Sequence, residues 1–466
     1  MRLFPILLAA FVFAVPVRAQ SLAITGVTVV DPSVAASRQP GMVNETVVIR
    51  NGHIVAVGPS ATVPIPRGAR VVDGRGKYLM PGLWDSHVHF MNTGPSALPL
   101  YVALGVTSVR EMGGYLDSTR AWQSRMRAAT LVGPRILTPG PILEAPSYLA
   151  GVRQRSIRDP RIGQRVLPYR VAVGNAADAR RAIDSLVKLH VDFVKIRTTE
   201  SPEAYFAILA EARRAGLKVA GHRPSVVPLP IAVDSGQRDI EHALALLHLS
   251  ADARDSIYLE FAKWGTWYTP TLVVTRAVGL PADSVKRAIF SEAAVRGDER
   301  QVFASRWLLE WWRMQVDERL ADTTAVDPNN GRVLYESSVA DVRRMHELGV
   351  LMLAGTDAGS VLIYPGFALH EELRLLVEDA GFTPLEALWS AIVGPARFAG
   401  LQDSLGSISA GKIADLVLLD ANPLDNIRNT RRIAAVMQGS RFFARKDLDA
   451  LLARARRLAA PAAPHR

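Results

Sequence analysis

From Pro81 to Leu401 short apolar runs alternate with helical stretches, and this alternation constrains the fold more than any other feature of the chain. Strand, helix, strand, helix in repetition builds a parallel sheet with helices packed outside it. Eight candidate strands can be marked, at 83–89, 107–112, 135–139, 193–197, 218–222, 239–242, 267–274 and 351–357. Eight such units predict an α/β protein of the (β/α)8 TIM-barrel kind, in which reactive groups collect at the C-terminal ends of the strands. The stretch between Val274 and Val350 is longer than one helix needs. Trp307, Trp311 and Trp312 recur there at helical spacing, which predicts aromatic packing in the core or in a lid.

Both ends read differently. From Ser21 to about Tyr78 the apolar residues are β-branched and come in short runs at 23–24, 27–30, 46–50, 53–57 and 70–72, the pattern of a small antiparallel sheet. Asn51-Gly52 lies between two of these runs, and such a pair favours the positive φ angles of a tight hairpin. Strand-like runs return at 414–419 and 433–443. The expectation is therefore a small composite β-sandwich domain built from residues 20–80 and 402–445, beside a catalytic barrel domain at 81–401. Residues 446–466 read as a basic C-terminal tail, a short helix with a solvated end.

Residues 1–19 begin with Met1-Arg2, continue as an apolar run to Val17 and close on a small-residue site at Ala19. That is the layout of a secretory signal peptide, so the mature chain is expected to start at Gln20 and to be exported, to the periplasm or outside the cell. The apolar run falls short of the roughly 20 residues a spanning helix needs, and Pro5 and Pro16 interrupt it. No stable membrane span is expected after processing. With 49% apolar residues the chain can bury a full core, which excludes a disordered protein. The complete lack of cysteine excludes disulfides and thiolate ligands, so any metal must be held by nitrogen and oxygen. The net charge of +11 is scattered, apart from Arg454, Arg456 and Arg457, and does not form a nucleic-acid footprint.

His87-Val88-His89 ends the first barrel strand. Alternate residues of a strand face the same way, so both imidazoles can reach one ion. A His-x-His pair alone carries little weight, but His222, His242 and Asp357 end the fifth, sixth and eighth candidate strands. Imidazole and carboxylate suit zinc, manganese, iron or cobalt in a site that keeps a position open for water. Lys195 ends the fourth strand among apolar neighbours. As an ammonium it has no lone pair to offer. Burial favours the neutral amine, which can take up carbon dioxide and become a carbamate, a bidentate anion able to bridge two ions. The alternative is a lysine that reaches the barrel rim or pairs with an acid such as Glu241. Tyr148, Arg153, Arg197 and Arg223 fall in or just after loops of the active face and are candidates to hold a substrate carboxylate, a surface role being equally open to each. His370-Glu371-Glu372-Leu373 lacks a second histidine four residues on, so it is no zinc-protease motif.

The stretches Pro81 to His89, Val191 to Ile196, Ile240-Glu241-His242, Ala354 to Ala358 and Gly406 to Leu419 together resemble the amidohydrolase superfamily, and within it the imidazolonepropionase-related and Xaa-Pro or Xaa-Arg dipeptidase-like branch. The resemblance runs from Ser21 to about Phe443. It implies two divalent metal ions, zinc foremost, with His87 and His89 on the more buried ion and His222 and His242 on the more exposed one. It also implies that Lys195, as N6-carboxylysine, bridges them, and that Asp357 binds metal and handles the proton. Deaminase-like members carry a glutamate shortly after the fifth-strand histidine, where this chain reads His222-Arg223-Pro224-Ser225. Deamination is thereby disfavoured.

The expected activity is hydrolysis of an amide bond, peptide-like or in an N-acyl amino acid, by hydroxide that the metals make available near neutral pH. Two rivals stand beside it. One is a lactone or ester hydrolase on the same ions, and the other a catalytically inactive barrel used as a binding module. The expected partner is a small-molecule amide, with no nucleic acid, and self-association into a homo-oligomer is left open.

Overall fold

The computed structural model describes residues 21–34, 42–280, 282–291, 298–321 and 328–460, so the expected leader and its cleavage point lie outside the described residues. Each middle strand predicted from the sequence has a counterpart, though the eighth stops at Met352, five residues before Asp357: Leu83–Val88, Val106–Glu111, Arg135–Leu137, Val194–Ile196, Val219–His222, Gln237–Glu241, Trp267–Thr269 and Leu351–Met352. Where they pair they pair in parallel. They form a three-stranded arc and a seven-stranded arc, the larger including two strands the sequence did not announce, Ile142–Glu144 and Arg170–Ala172.

The arcs meet at two seams through individual hydrogen bonds. At one, the Ser86 N–H donates to the Ala354 carbonyl at 3.0 Å, and Asp357 N–H to the His87 carbonyl at 2.7 Å. At the other, Asp192 N–H donates to the Thr138 carbonyl at 3.0 Å, and Thr138 N–H to the Asp192 carboxylate at 2.8 Å. The ladder is thus two parallel arcs stitched together, where one unbroken eight-stranded ring was expected.

The strand expected at 267–274 stops at Thr269. Pro270 has no N–H to continue the ladder, Thr271 turns to φ 48°, and Leu272–Val278 winds into a helix. The carboxylate of buried Glu372 accepts from the first two N–H groups of that helix, Leu272 at 2.9 Å and Val273 at 2.8 Å. These donors have no partner inside the helix, and an acid there also suits the dipole. The β-branched run Val273-Val274-Thr275 is therefore held helical by tertiary contact, against its local preference.

The two ends of the chain join in one eight-stranded sheet. Its order is Arg441–Ala444, Ile433–Gln438, Leu416–Leu419, Tyr78–Pro81, Ser21–Val29, Glu45–Arg50 and His53–Pro59, with Arg70–Asp73 also beside Ser21–Val29. The link between the ends is the antiparallel pairing of Leu416–Leu419 with Tyr78–Pro81. The sheet is mixed and not purely antiparallel, since Ser21–Val29 runs parallel to both Arg70–Asp73 and Tyr78–Pro81. Ser21–Val29 is the shared strand: its residues 21–27 pair with Glu45–Arg50 and Arg70–Asp73, while Thr28 and Val29 pair with Tyr78–Pro81. The hairpin forms as expected, with Asn51 at φ 50° and Gly52 at φ 80°. Ile24, Val47, Ile49, Leu416, Leu418 and Met437 share one buried cluster, so the apolar faces of the two ends stabilise each other. Each such side chain contributes about 1.5–3 kcal/mol.

The expected tail is a helix, Arg445–Ala459, docked through buried Leu448, Leu451 and Ala455 against the helix Leu98–Ala103. Arg456 and Arg457 stay exposed on its outer face. In the long insertion, Trp312 is fully buried in the helix Arg306–Ala321 while Trp307 is half exposed, so the tryptophans divide between core and cover. Among the described residues no helix is long and apolar enough to cross a membrane.

Candidate active site

A cavity of about 830 Å³ opens over the C-terminal ends of the strands, and His89, Lys195, His222, His242 and Asp357 line it. His87 lies directly behind, with no exposure. His87, His89 and Asp357 bring one ligand atom each within 4.8 Å of one another. His89 Nε2 stands 3.1 Å and His87 Nε2 3.5 Å from Asp357 Oδ1, and the two Nε2 atoms are 3.3 Å apart. The His242 ring is 4.6 Å from that of His87 and 4.8 Å from that of His222, centroid to centroid. The strand ends therefore gather the predicted histidines and the aspartate into one group.

Contacts behind these side chains fix which nitrogen faces forward. His87 Nδ1 is 2.6 Å from the carboxylate of Glu241, and His242 Nδ1 is 2.8 Å from the Thr271 hydroxyl. Each ring is thereby oriented with Nε2 free to ligate. Glu241 is in turn held by Arg110 at 2.9 Å, and the same guanidinium pairs with Asp239 at 2.6 Å and donates to the Ser86 carbonyl at 2.6 Å. Thr269 donates to Asp239 at 2.9 Å. This buried Arg110, Glu241 and Asp239 network was not anticipated from the sequence, although Asp239 and Glu241 are alternate residues of one marked strand and Arg110 is a charge inside another. Asp357 and His242 adopt φ 58° and 67°, left-handed conformations that non-glycine residues hold at a cost of about 1–3 kcal/mol and that gather at functional sites. The Ser360 hydroxyl donates to Asp357 Oδ2 at 2.8 Å, which leaves Oδ1 toward the imidazoles.

Burial pushes His87, His222 and His242 toward the neutral form that a ligand must have. His87 and His222 lie well below the usual range, burial being the main cause, and His242 falls to about 3. Burial would raise Asp357, but the hydrogen bond with His89 and the electrostatic pull of the surrounding imidazole rings outweigh it and hold the carboxyl far below its usual range. Burial pulls Lys195 down to about 8, with Glu241 opposing and Arg110 assisting. Its Nζ has no hydrogen-bond partner. Glu241 is committed to His87 and Arg110, so the lysine does not take up the pairing with Glu241 that the sequence left open. A fully buried amine beside imidazoles and an ionised carboxylate is a polar group for which the neighbouring side chains supply no hydrogen-bond partner.

The four residues marked for substrate separate. Tyr148 and Arg197 line the cavity. Arg153 is exposed on the helix Pro146–Arg158, and it is Arg155, two positions on, that reaches the cavity. Arg223 is exposed as well, its guanidinium donating to the Leu244 carbonyl. His370 is a structural residue, buried between the Thr430 hydroxyl and the Leu104 carbonyl. The cavity has a cover: Trp311, Met314 and Gln315 of the helix Arg306–Ala321 line it, and Arg155 pairs with Glu318 at 2.6 Å across it.

Parallel strands that deliver imidazoles and a carboxylate from their C-terminal ends to one covered cavity define a metal-dependent hydrolase. The Amidohydrolase family pattern matches residues 78–442, and the chain belongs to that family. It is 26% identical over 400 residues to an imidazolonepropionase of Symbiobacterium thermophilum, covering 79% of this chain and 82% of that one. It is 24% identical over 455 residues to an ochratoxinase of Aspergillus niger, with 86% and 83% covered. Among solved structures, bottromycin amidohydrolase has the same fold, with a TM-score of 0.71 at 23% identity over 95% of this chain and 91% of that one.

Proposed function

We infer that the chain hydrolyses an amide bond, peptide-like or in an N-acyl amino acid, using two divalent cations, zinc foremost. His87, His89, His222, His242 and Asp357 would hold them together with Lys195 as its carbamate. The observation that carries this reading is the buried, unpartnered Lys195 amine among the imidazoles and Asp357. When bound, such cations polarise a carbonyl and bring the pKa of water toward neutrality.

The chain's own residues do the rest. Asp357, ionised at ordinary pH, accepts the proton of the attacking water and returns it to the departing nitrogen, base first and acid second. Glu241 and Thr271 keep the His87 and His242 rings from turning. Arg110 holds Glu241 in place from beneath. The covering helix Arg306–Ala321 limits water around the scissile bond. The missing acid after His222 weighs against deamination.

A panel of N-acyl amino acids, dipeptides and lactones, assayed on zinc-loaded protein, tests the reading. Amide turnover that disappears with a chelator and returns with zinc supports it. Turnover of lactones alone would replace it with an esterase. We also take the mature chain to begin at Gln20 after export, with the terminal segments 20–80 and 402–445 as one unit beside the catalytic segment 81–401. The intact mass of exported protein tests the first point, since a mass retaining residues 1–19 would refute cleavage.

A further inference from the structure

The wall of the cavity beyond Lys195 carries more positive charge than its own acid can pair. Arg170, on a strand absent from the sequence reading, lines this wall with Arg197 and Tyr148. Both guanidiniums turn to the same oxygen of Glu144, Arg170 in direct contact and Arg197 at 3.5 Å. The other oxygen of Glu144 accepts from the Thr198 hydroxyl, so this fully buried carboxylate has little left to offer. Two cations against one anion leave one positive charge over. The Arg170 side chain is 8% exposed, yet its Nε has no hydrogen-bond partner. A buried donor left in that state is costly unless something else binds it. The Tyr148 ring packs under both guanidiniums, 4.5 Å from Arg197 and 5.6 Å from Arg170, and fixes their direction.

The placement says which anion is met there. Arg197 follows Lys195 by two residues across the end of the strand Val194–Ile196, and both side chains line the one cavity with Arg170. In an N-acyl amino acid the carboxylate carbon lies only three bonds from the scissile carbon, so a substrate held at the strand ends carries its anion into the same cavity as these guanidiniums.

We propose that Arg170 and Arg197, tethered by Glu144 and backed by Tyr148, form a subsite for the carboxylate of the leaving amino acid, so that the substrates are amides with a free carboxylate on the amine side. The subsite rests on the amide-hydrolase reading for its place beside the reaction, but its anion binding can be measured without turnover. Titration calorimetry on the zinc-loaded full chain would compare 3-phenylpropionate with the neutral 3-phenylpropanol, neither of which holds an amide. The acid binds at least tenfold more tightly to the unaltered protein. In Arg170→Gln that preference falls to within about threefold, while the zinc content is unchanged. Arg197→Gln, at a more exposed position, gives the same direction and decides the matter if Arg170→Gln does not fold. Equal binding of the two probes to the unaltered chain, or a preference that survives both substitutions, overturns the subsite. In parallel, N-acetyl-L-phenylalanine and its carboxamide are assayed as substrates, and the carboxamide has the higher KM only while Arg170 is present. A chain that discriminates between the probes but cleaves no amide would refute the hydrolase reading and leave the subsite standing.

Discussion

Glu241→Gln should weaken metal binding while keeping the fold, because the carboxylate joins a site imidazole to the buried network beneath it. Glu241 accepts from His87 at 2.6 Å and from Arg110 at 2.9 Å, and both contacts are buried. Glutamine has the same shape but one acceptor oxygen, and its amide nitrogen must then face one of two donors. One charge-assisted hydrogen bond is lost, which costs about 1.5–3 kcal/mol. Arg110 still pairs with Asp239 at 2.6 Å, so the guanidinium is not left alone and the fold should survive. The His87 ring, no longer held by a carboxylate, is less basic and less well aimed. Changes of this kind behind a metal-binding histidine lower affinity by about 10- to 100-fold. The assay is competition of the purified variant against a zinc-binding dye, with thermal unfolding recorded alongside. Zinc affinity equal to that of the unaltered chain would refute the view that Glu241 orients His87 for a metal.

Three further outcomes follow from the same geometry. Lys195→Ala should lose at least one of two metals and fall by orders of magnitude in activity with the fold intact, and Lys195→Arg should fare no better because a guanidinium takes up no carbon dioxide; a short carboxylic acid should restore part of the alanine variant's activity, and near-normal activity with two metals per chain would make Lys195 a structural residue. The Lys195 amine is neutral above its pKa of about 8, so at a fixed concentration of dissolved carbon dioxide the reactivation of metal-free protein by zinc should be roughly 25-fold faster at pH 8.5 than at pH 6.5, following the neutral fraction, and a rate independent of pH or of carbon dioxide would contradict carbamate formation. Removing residues 422–466 takes away Ile433–Gln438, one of the two strands beside Leu416–Leu419, and the docked helix Arg445–Ala459, so the truncated chain should aggregate through its exposed edge and apolar faces; a soluble, fully active truncation, measured by light scattering and turnover, would contradict the shared sheet.

Where the sequence was readable, local chemistry agreed with the final fold. Asn51-Gly52 specified its hairpin because positive φ suits few other pairs. His87 and His89, a strand pair, could be placed on one face without knowing the partner strands. Legibility failed where long-range contacts decide. Ile142–Glu144 and Arg170–Ala172 have three residues each, too few for a period to emerge, and they are strands because they pair with each other. Arg110 and Glu241 lie 131 residues apart, so their pairing leaves no local trace. Arg155, which lines the cavity where Arg153 does not, leaves no sign in the sequence because the phase of the helix Pro146–Arg158 relative to the cavity is set by packing. Pro270 was a readable signal that was overlooked, since it ends the strand Trp267–Thr269 and lets the next residues turn helical.

The central claim is that this chain hydrolyses amides with two metal ions at the gathered strand ends. Its most direct test is to strip the purified chain with a chelator and return zinc in steps with bicarbonate present. Bound zinc per chain and turnover of an N-acyl amino acid are then measured on the same samples. The account predicts saturation at two zinc ions per chain, with most of the activity appearing as the second is taken up. A chain that binds no zinc, or whose amide turnover is indifferent to it, would contradict the account.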